Sequence, residues 1–381
     1  MAGSCAQGVG TAGSRELLLA VILLVGACGS PPPEPSKRAF YYWRTTVALS
    51  PVELNALARL QIDRLYLRFF DVELGDDGRA RPLAKVALAG GATLPASLEV
   101  VPVVFLRNQV LRGLDAAAAR ELAGKIWSEV AARALALDVA PRELQLDCDW
   151  TDGTREPYFA LLRALRETAR SQGVRLTATI RLHQVKYRER TGVPPVERGM
   201  LMFYNMGELG PDDGQRAVYD SGAAANYLAR LPGYPLPLDV ALPIFSWTLQ
   251  LRSGRVEELL QSADPAELDA LPFLVRTGPA RFAVSQTAFF HGALLRKGDE
   301  LKTESLSPAE LREAAAQVAR FLAPLPFPAV RTVALFDLSQ KNLARHDPSS
   351  LEEIFAENLC NHGRARCAPL PAERARLRVR P

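Results

Sequence analysis

Short runs of β-branched and aromatic residues alternate along this chain with segments whose apolar positions recur at helical spacing. Eight such runs stand out: Phe40 to Thr46, Arg64 to Val72, Val100 to Asn108, Leu144 to Trp150, Arg175 to Gln184, Met200 to Met206, Leu238 to Trp247, and Arg331 to Ser339. Strand and helix in alternation predict a parallel sheet covered by helices, and eight is the number that closes a (β/α)8 TIM barrel. The helices carry start signals. Ser50-Pro51-Val52-Glu53 and Ser307-Pro308-Ala309-Glu310 each place a cap, a first-turn proline and a capping-box acid in order. Leu114 to Leu137 and Thr154 to Ser171 also read as helices, the second stopped by Gly173. Arg79 to Ser97 is poorly periodic, and Leu249 to Leu306 predicts an insertion between strands seven and eight, with a hairpin over Arg281 to Arg296. The barrel is expected over residues 40–359.

The N-terminus has a different pattern. Leu17 to Ala27 is an apolar run ending Val25-Gly26-Ala27 before Cys28, preceded by a polar stretch with one positive charge at Arg15. That is signal-peptide length, too short to span a bilayer. The run resembles the lipobox of bacterial lipoproteins, which implies that residues 1–27 are removed and Cys28 is lipidated, each buried methylene of the acyl chains supplying about 0.8 kcal/mol. Residues 28–39, rich in proline at Pro31, Pro32, Pro33 and Pro35, read as an extended tether. Gly29 stands where inner-membrane lipoproteins often carry an aspartate, so an outer-membrane envelope location is expected.

Charge and cysteines change the picture little. The net +4 resides in residues 360–381, a basic tail with six arginines against Glu373, and the rest of the chain is close to neutral. A solvated terminus is the expectation, with no nucleic-acid partner. Cys5 leaves with the signal, and in an oxidising envelope Cys360 and Cys367 are spaced to close a small disulfide loop. With four histidines and no clustered spacing, neither a metal site nor a cofactor is predicted.

In a parallel barrel alternate residues point inward, and those near strand C-termini line the functional face. Strand four then sends Gln145, Asp147 and Asp149 inward, the two carboxylates roughly 7 Å apart along the strand. One of them is expected to have a raised pKa unless a cation such as Arg107 or Arg181 intervenes. The same parity selects Thr177, Thr179, Arg181 and His183 on strand five, Met202, Tyr204 and Met206 on strand six, and Val333, Leu335, Asp337 and Ser339 on strand eight. Tyr204 can donate to a reacting oxygen, and Asp337 can orient a sugar hydroxyl or Arg181. His183 reads as a loop-edge histidine rather than a base. Tyr42, Trp43, Phe70, Trp150, Phe245 and Trp247 lie at strand ends, where flat faces could stack on pyranose rings.

At these residues the chain resembles the family 18 glycoside hydrolases, the chitinases and their relatives. Asp147-x-Asp149 ends strand four like that family's Asp-x-Asp-x-Glu motif, Met202-x-Tyr204-Asn205 is similar to its Met-x-Tyr-Asp/Asn motif, and an insertion follows strand seven. The resemblance implies a glycan-directed barrel with Asp149 and Tyr204 in the family's two supporting roles; Asp147, Asp149 and Tyr204 are the catalytic candidates, and strand parity and strand-end position add Arg181, Asp337, Trp150 and Trp247 around the sugar. In the family mechanism the second aspartate orients the substrate's own acetamido oxygen and the tyrosine supports the intermediate. Thr151 occupies the position of the glutamate that protonates the glycosidic oxygen, and Asp152 is one residue out of phase. Two outcomes stay open: an envelope-anchored hydrolase-like protein that binds or cleaves glycans, and a non-catalytic lipoprotein that binds carbohydrate or protein. Tyr41 to Thr46 and Leu65 to Asp71 are also similar to uncharacterised bacterial envelope lipoproteins.

Overall fold

Eight parallel strands close on themselves: β1 (Lys37–Tyr42), β2 (Arg64–Leu74), β3 (Glu99–Leu106), β4 (Glu143–Asp147), β5 (Arg175–Arg181), β6 (Arg198–Met202), β7 (Leu238–Pro243) and β8 (Thr332–Phe336). Each pairs with its sequence neighbours, and β1 lies between β2 and β8, in register Phe40 with Leu65 on one side and Leu335 on the other. This is the expected (β/α)8 barrel, seen in a computed structural model that describes residues 36–206, 217–261, 263, 265–322 and 331–359. Cys28, most of the tether, Cys360, Cys367 and the basic tail lie outside the described residues. Residues 37–39, expected in the tether, belong to β1, because Lys37 pairs with Thr332 and Ala39 with Ala334.

The helices start where their caps predict. Ser50 Oγ accepts from the Glu53 amide (3.3 Å) while Glu53 Oε2 accepts from the Ser50 amide (2.7 Å), opening helix Pro51–Arg59. Ser307 and Glu310 repeat the exchange ahead of Pro308–Leu322. Asp115 caps Ala116–Ala136 through the Ala118 amide. The segment without clear periodicity after β2 holds no helix. Ala80–Leu83 folds back antiparallel on β2, and Ala87–Leu88 pairs with Thr46–Val47.

Apolar side chains divide between two layers. The larger one lies between strands and helices. The smaller fills the barrel with Tyr41, Tyr66, Val101, Val103, Met200 and Met202, the Tyr41 and Tyr66 rings stacked 4.8 Å apart. Below them the strand N-termini bury a polar layer. Arg64 donates to Glu99 (2.9 Å) and Glu143 (3.3 Å), Thr177 donates to Glu143 (3.0 Å), and Arg198 donates to Asp239 (3.0 Å). Burial pushes the Asp239 carboxyl up to about 6 against the pull of Arg198.

Strand seven is shorter than expected. After Pro243 the chain leaves the barrel, and Ser246–Arg252 founds an antiparallel sheet with Arg255–Gln261, Leu274–Gly278, Arg281–Val284 and Glu300–Ser305. The hairpin expected over 281–296 is divided: Arg281–Val284 pairs with Leu274–Gly278, and Ala288–Phe290 with Ala293–Leu295. This insertion has its own core, including Leu260, Leu268, Phe282 and Leu301. It is tied to the barrel by Lys341, which donates to Glu267 (3.0 Å), and by Glu304, which accepts from the Ala217 (2.8 Å) and Val218 (3.1 Å) amides.

Candidate functional site

The C-terminal ends of the strands surround a cavity of about 400 Å³. Its base is built by strand parity: β4 turns Asp147 inward, β5 turns Arg181, and Tyr204 follows β6 on the face of Met200 and Met202. Arg181 organises this base. Its Nη2 donates to Asp147 Oδ1 (2.9 Å) and its Nε to Asp149 Oδ1. Of the two arginines weighed from sequence, Arg181 holds both carboxylates, and Arg107 pairs with Glu73 instead. Thr179 also donates to Asp147 Oδ1 (2.6 Å).

The two acids differ in exposure, which decides what each can do. The Asp147 side chain is 4% exposed and that of Asp149 55%. Burial pushes the Asp147 carboxyl up and Asp149 adds to the rise, while Arg181 and Thr179 pull it down. Asp147 is thus an internal anchor for Arg181, and Asp149 is the carboxylate offered to the cavity. Burial raises the Tyr204 phenol well above its ordinary value, so it stays a neutral donor. Burial also pushes Asp337 up to about 6, with Arg44 and the Asn342 amide group acting against that rise.

Aromatic rings line the cavity as one connected set. Trp43 and Phe105 meet edge to face at 6.4 Å near β1 and β3. Phe336 links Trp43 (5.2 Å) to Phe245 (5.9 Å), which also packs on Tyr204 (5.4 Å) and Trp247 (5.8 Å). Trp247 and Leu259 come from the insertion, so the extra sheet forms part of the rim. Two buried polar atoms in residues of this rim, Ser246 Oγ and Trp247 Nε1, have no hydrogen-bond partner among the described residues.

Several expected positions are corrected. Trp150 is wholly buried on the helix side, stacked on Tyr158 at 5.0 Å with its Nε1 donating to Thr191 O, so it offers no face to a sugar. Tyr42, Phe70 and Met206 likewise belong to the helix-facing core. His183 lies on the short helix Leu182–Lys186, because β5 ends at Arg181. Val333 and Leu335 face the helices, whereas Ala334 and Phe336 face the barrel interior. Asp337 still lines the cavity, since it follows the last laddered residue, and Ser339 caps the next helix. Asp152 is exposed and pairs with Arg190 at 3.5 Å, away from the cavity.

Sequence reasoning missed Arg68 and Asp71 as lining residues. Arg64, Tyr66 and Arg68 follow one alternation that could have found Arg68. A register shift between Arg68 and Phe70 then brings Asp71 to the cavity, and nothing in the spacing announces it.

Among solved structures, the chain is similar to the spore cortex-lytic enzyme SleL of Bacillus megaterium QM B1551, with a TM-score of 0.53 and 12% identity over 87% of this chain and 76% of that one. It is also similar to the C-terminal domain of a candidate chitinase from Desulfitobacterium hafniense DCB-2, with a TM-score of 0.51 and 12% identity over 85% and 98%. No protein-family model matches the sequence, and no curated protein does. At this identity the likeness is one of fold: the chain is a (β/α)8 barrel, similar in fold to these two structures.

Proposed function

We propose that this chain is an envelope-anchored glycan-binding barrel that holds sugars at the mouth lined by Asp149, Tyr204, Arg181, Asp337 and Trp247. The observation that carries the reading is a cavity that sets hydrogen-bonding groups among aromatic faces: Asp149, Tyr204, Arg181 and Asp337 line it together with Trp43, Phe105, Phe245 and Trp247. Flat rings suit pyranose faces and the polar groups suit hydroxyls, so a sugar matches both parts of the lining.

Binding is favoured over cleavage by the loop after β4. Thr151 offers no titratable proton near neutral pH, and Asp152 is engaged with Arg190. The test is titration of the mature chain with N-acetylglucosamine oligomers, followed by tryptophan fluorescence, with product analysis of the same mixtures. Saturable quenching without release of reducing ends is expected. Release that disappears in Asp149→Asn would make the protein a hydrolase. One feature favours that second reading: burial pushes Asp337 up to about 6, so on the same cavity it keeps a proton to higher pH than an ordinary carboxyl does.

The anchor is proposed from the Leu17 to Cys28 run alone. Among the described residues no helix is long and apolar enough to cross a membrane.

A further inference from the structure

The wall formed by β1, β2 and β3 carries two aromatic–guanidinium pairs side by side. The Arg68 guanidinium lies 5.4 Å from the Trp43 ring centroid, the Arg107 guanidinium 5.7 Å from that of Phe105, and the two rings are 6.4 Å apart. All four residues line the cavity. We propose that this wall selects glycans bearing a carboxylate, which docks on the Nη edge of Arg107. The inference rests on the glycan-binding reading above and names its substrate class.

The two arginines are committed to different degrees. Arg68 uses every nitrogen: Nε and Nη2 donate to the Asp71 carboxylate and Nη1 to Trp43 O (3.4 Å). Its charge is thereby matched, and it serves as a brace. Arg107 donates only through Nε, to Glu73 Oε1 (2.8 Å), and its two Nη groups have no protein partner among the described residues. A guanidinium spent at Nε alone keeps its planar Nη1–Nη2 edge, the fork that matches two carboxylate oxygens. Phe105 beneath it limits how far the plane can swing. A neutral pyranose has no group that needs such a fork. A uronic acid, or an amino sugar with a lactyl ether, does.

The rest of the cavity sets the polarity of the bound sugar. Asp149 and Asp337 line it as well, and they accept hydroxyl and amide protons but repel a second carboxylate. An acidic sugar therefore has one orientation, with its carboxylate toward Arg107 and its hydroxyls toward the acids. The Arg107 side chain is 52% exposed, so solvent screens the pair and the selectivity is modest.

Calorimetric titration of the mature chain with four probes tests this. The probes are the N-acetylglucosamine tetramer, the alternating tetrasaccharide of N-acetylglucosamine and N-acetylmuramic acid, the methyl ester of that tetrasaccharide, and tetragalacturonate. Preference for an acidic probe over the neutral tetramer of about five- to tenfold is expected. It should vanish with the ester and in Arg107→Met. It should grow in Glu73→Gln, which removes the competing carboxylate. Whichever acid is preferred identifies the carboxylate's source, lactyl or uronic. Equal affinities, or a preference that survives Arg107→Met, would overturn the inference while leaving glycan binding intact. No binding of any probe would overturn both.

Discussion

Asp147 and Asp149 are two residues apart on one face, yet Arg181 and solvent give them different work. Because Asp147 is buried and Arg181 is its main counter-charge, Arg181→Met should destabilise the fold by about 3–5 kcal/mol, the usual cost of stranding a buried charge. Adding Asp147→Asn should recover most of that loss in urea unfolding, and failure to do so would mean Arg181 acts mainly through packing. Asp337 titrates from about 6 in the fold against about 3.9 in the unfolded chain. The native state therefore holds a proton that the unfolded chain has already released, and stability falls as pH rises from about 4 to about 6. Asp337→Asn should flatten that part of the Tm–pH curve and leave the chain relatively more stable at pH 7. Thr151→Glu returns a proton donor next to Asp149; slow release of reducing ends from chito-oligosaccharides, detected by chromatography, is the expected gain. At this scale strand parity made much of the site legible. Asp147, Asp149, Arg181 and Tyr204 obey it, and so does Trp150, whose outward parity, shared with Leu146 and Cys148, takes it away from the cavity.

Among elements, strands were easier to find in the sequence than their ends or orientation. Strand eight, Thr-Val-Ala-Leu-Phe, is apolar on both faces, so alternation carries no sign of which residues look inward. The run Leu238 to Trp247 reads as one strand because Ile244 and Phe245 continue its apolar pattern past Pro243, although Ser246–Arg252 belongs to the inserted sheet. That sheet matters for the proposed binding. Trp247→Ala should weaken glycan binding about tenfold, as loss of an aromatic platform does, with little change in Tm. Strand β6 imposes a packing constraint instead. A Cβ at Gly199 would lie 2.7 Å from Ile180 Cγ1 and 2.9 Å from Leu238 Cδ2. Gly199→Ala should therefore cost about 1–3 kcal/mol by denaturant titration, whereas an equal or higher midpoint would show that the neighbouring strands yield.

For the whole molecule, eight runs with helices between them were enough to foresee the closed barrel, because closure follows from strand number and parallel order rather than from any one contact. The missing second helix was visible only as weak periodicity. The proposed anchor predicts that Cys28→Ala shifts the protein from the membrane fraction to the soluble envelope fraction on cell fractionation, and retention in the membrane would overturn it. The buried layer of Arg64, Glu143, Thr177, Arg198 and Asp239 beneath the stacked Tyr41 and Tyr66 closes the barrel below the cavity. Nothing can thread through the barrel, so a glycan bound as proposed rests across the rim or dips a branch or an end into the cavity. With the proposed anchor, many such cavities on one surface would share a strand, each brief contact being renewed by its neighbours.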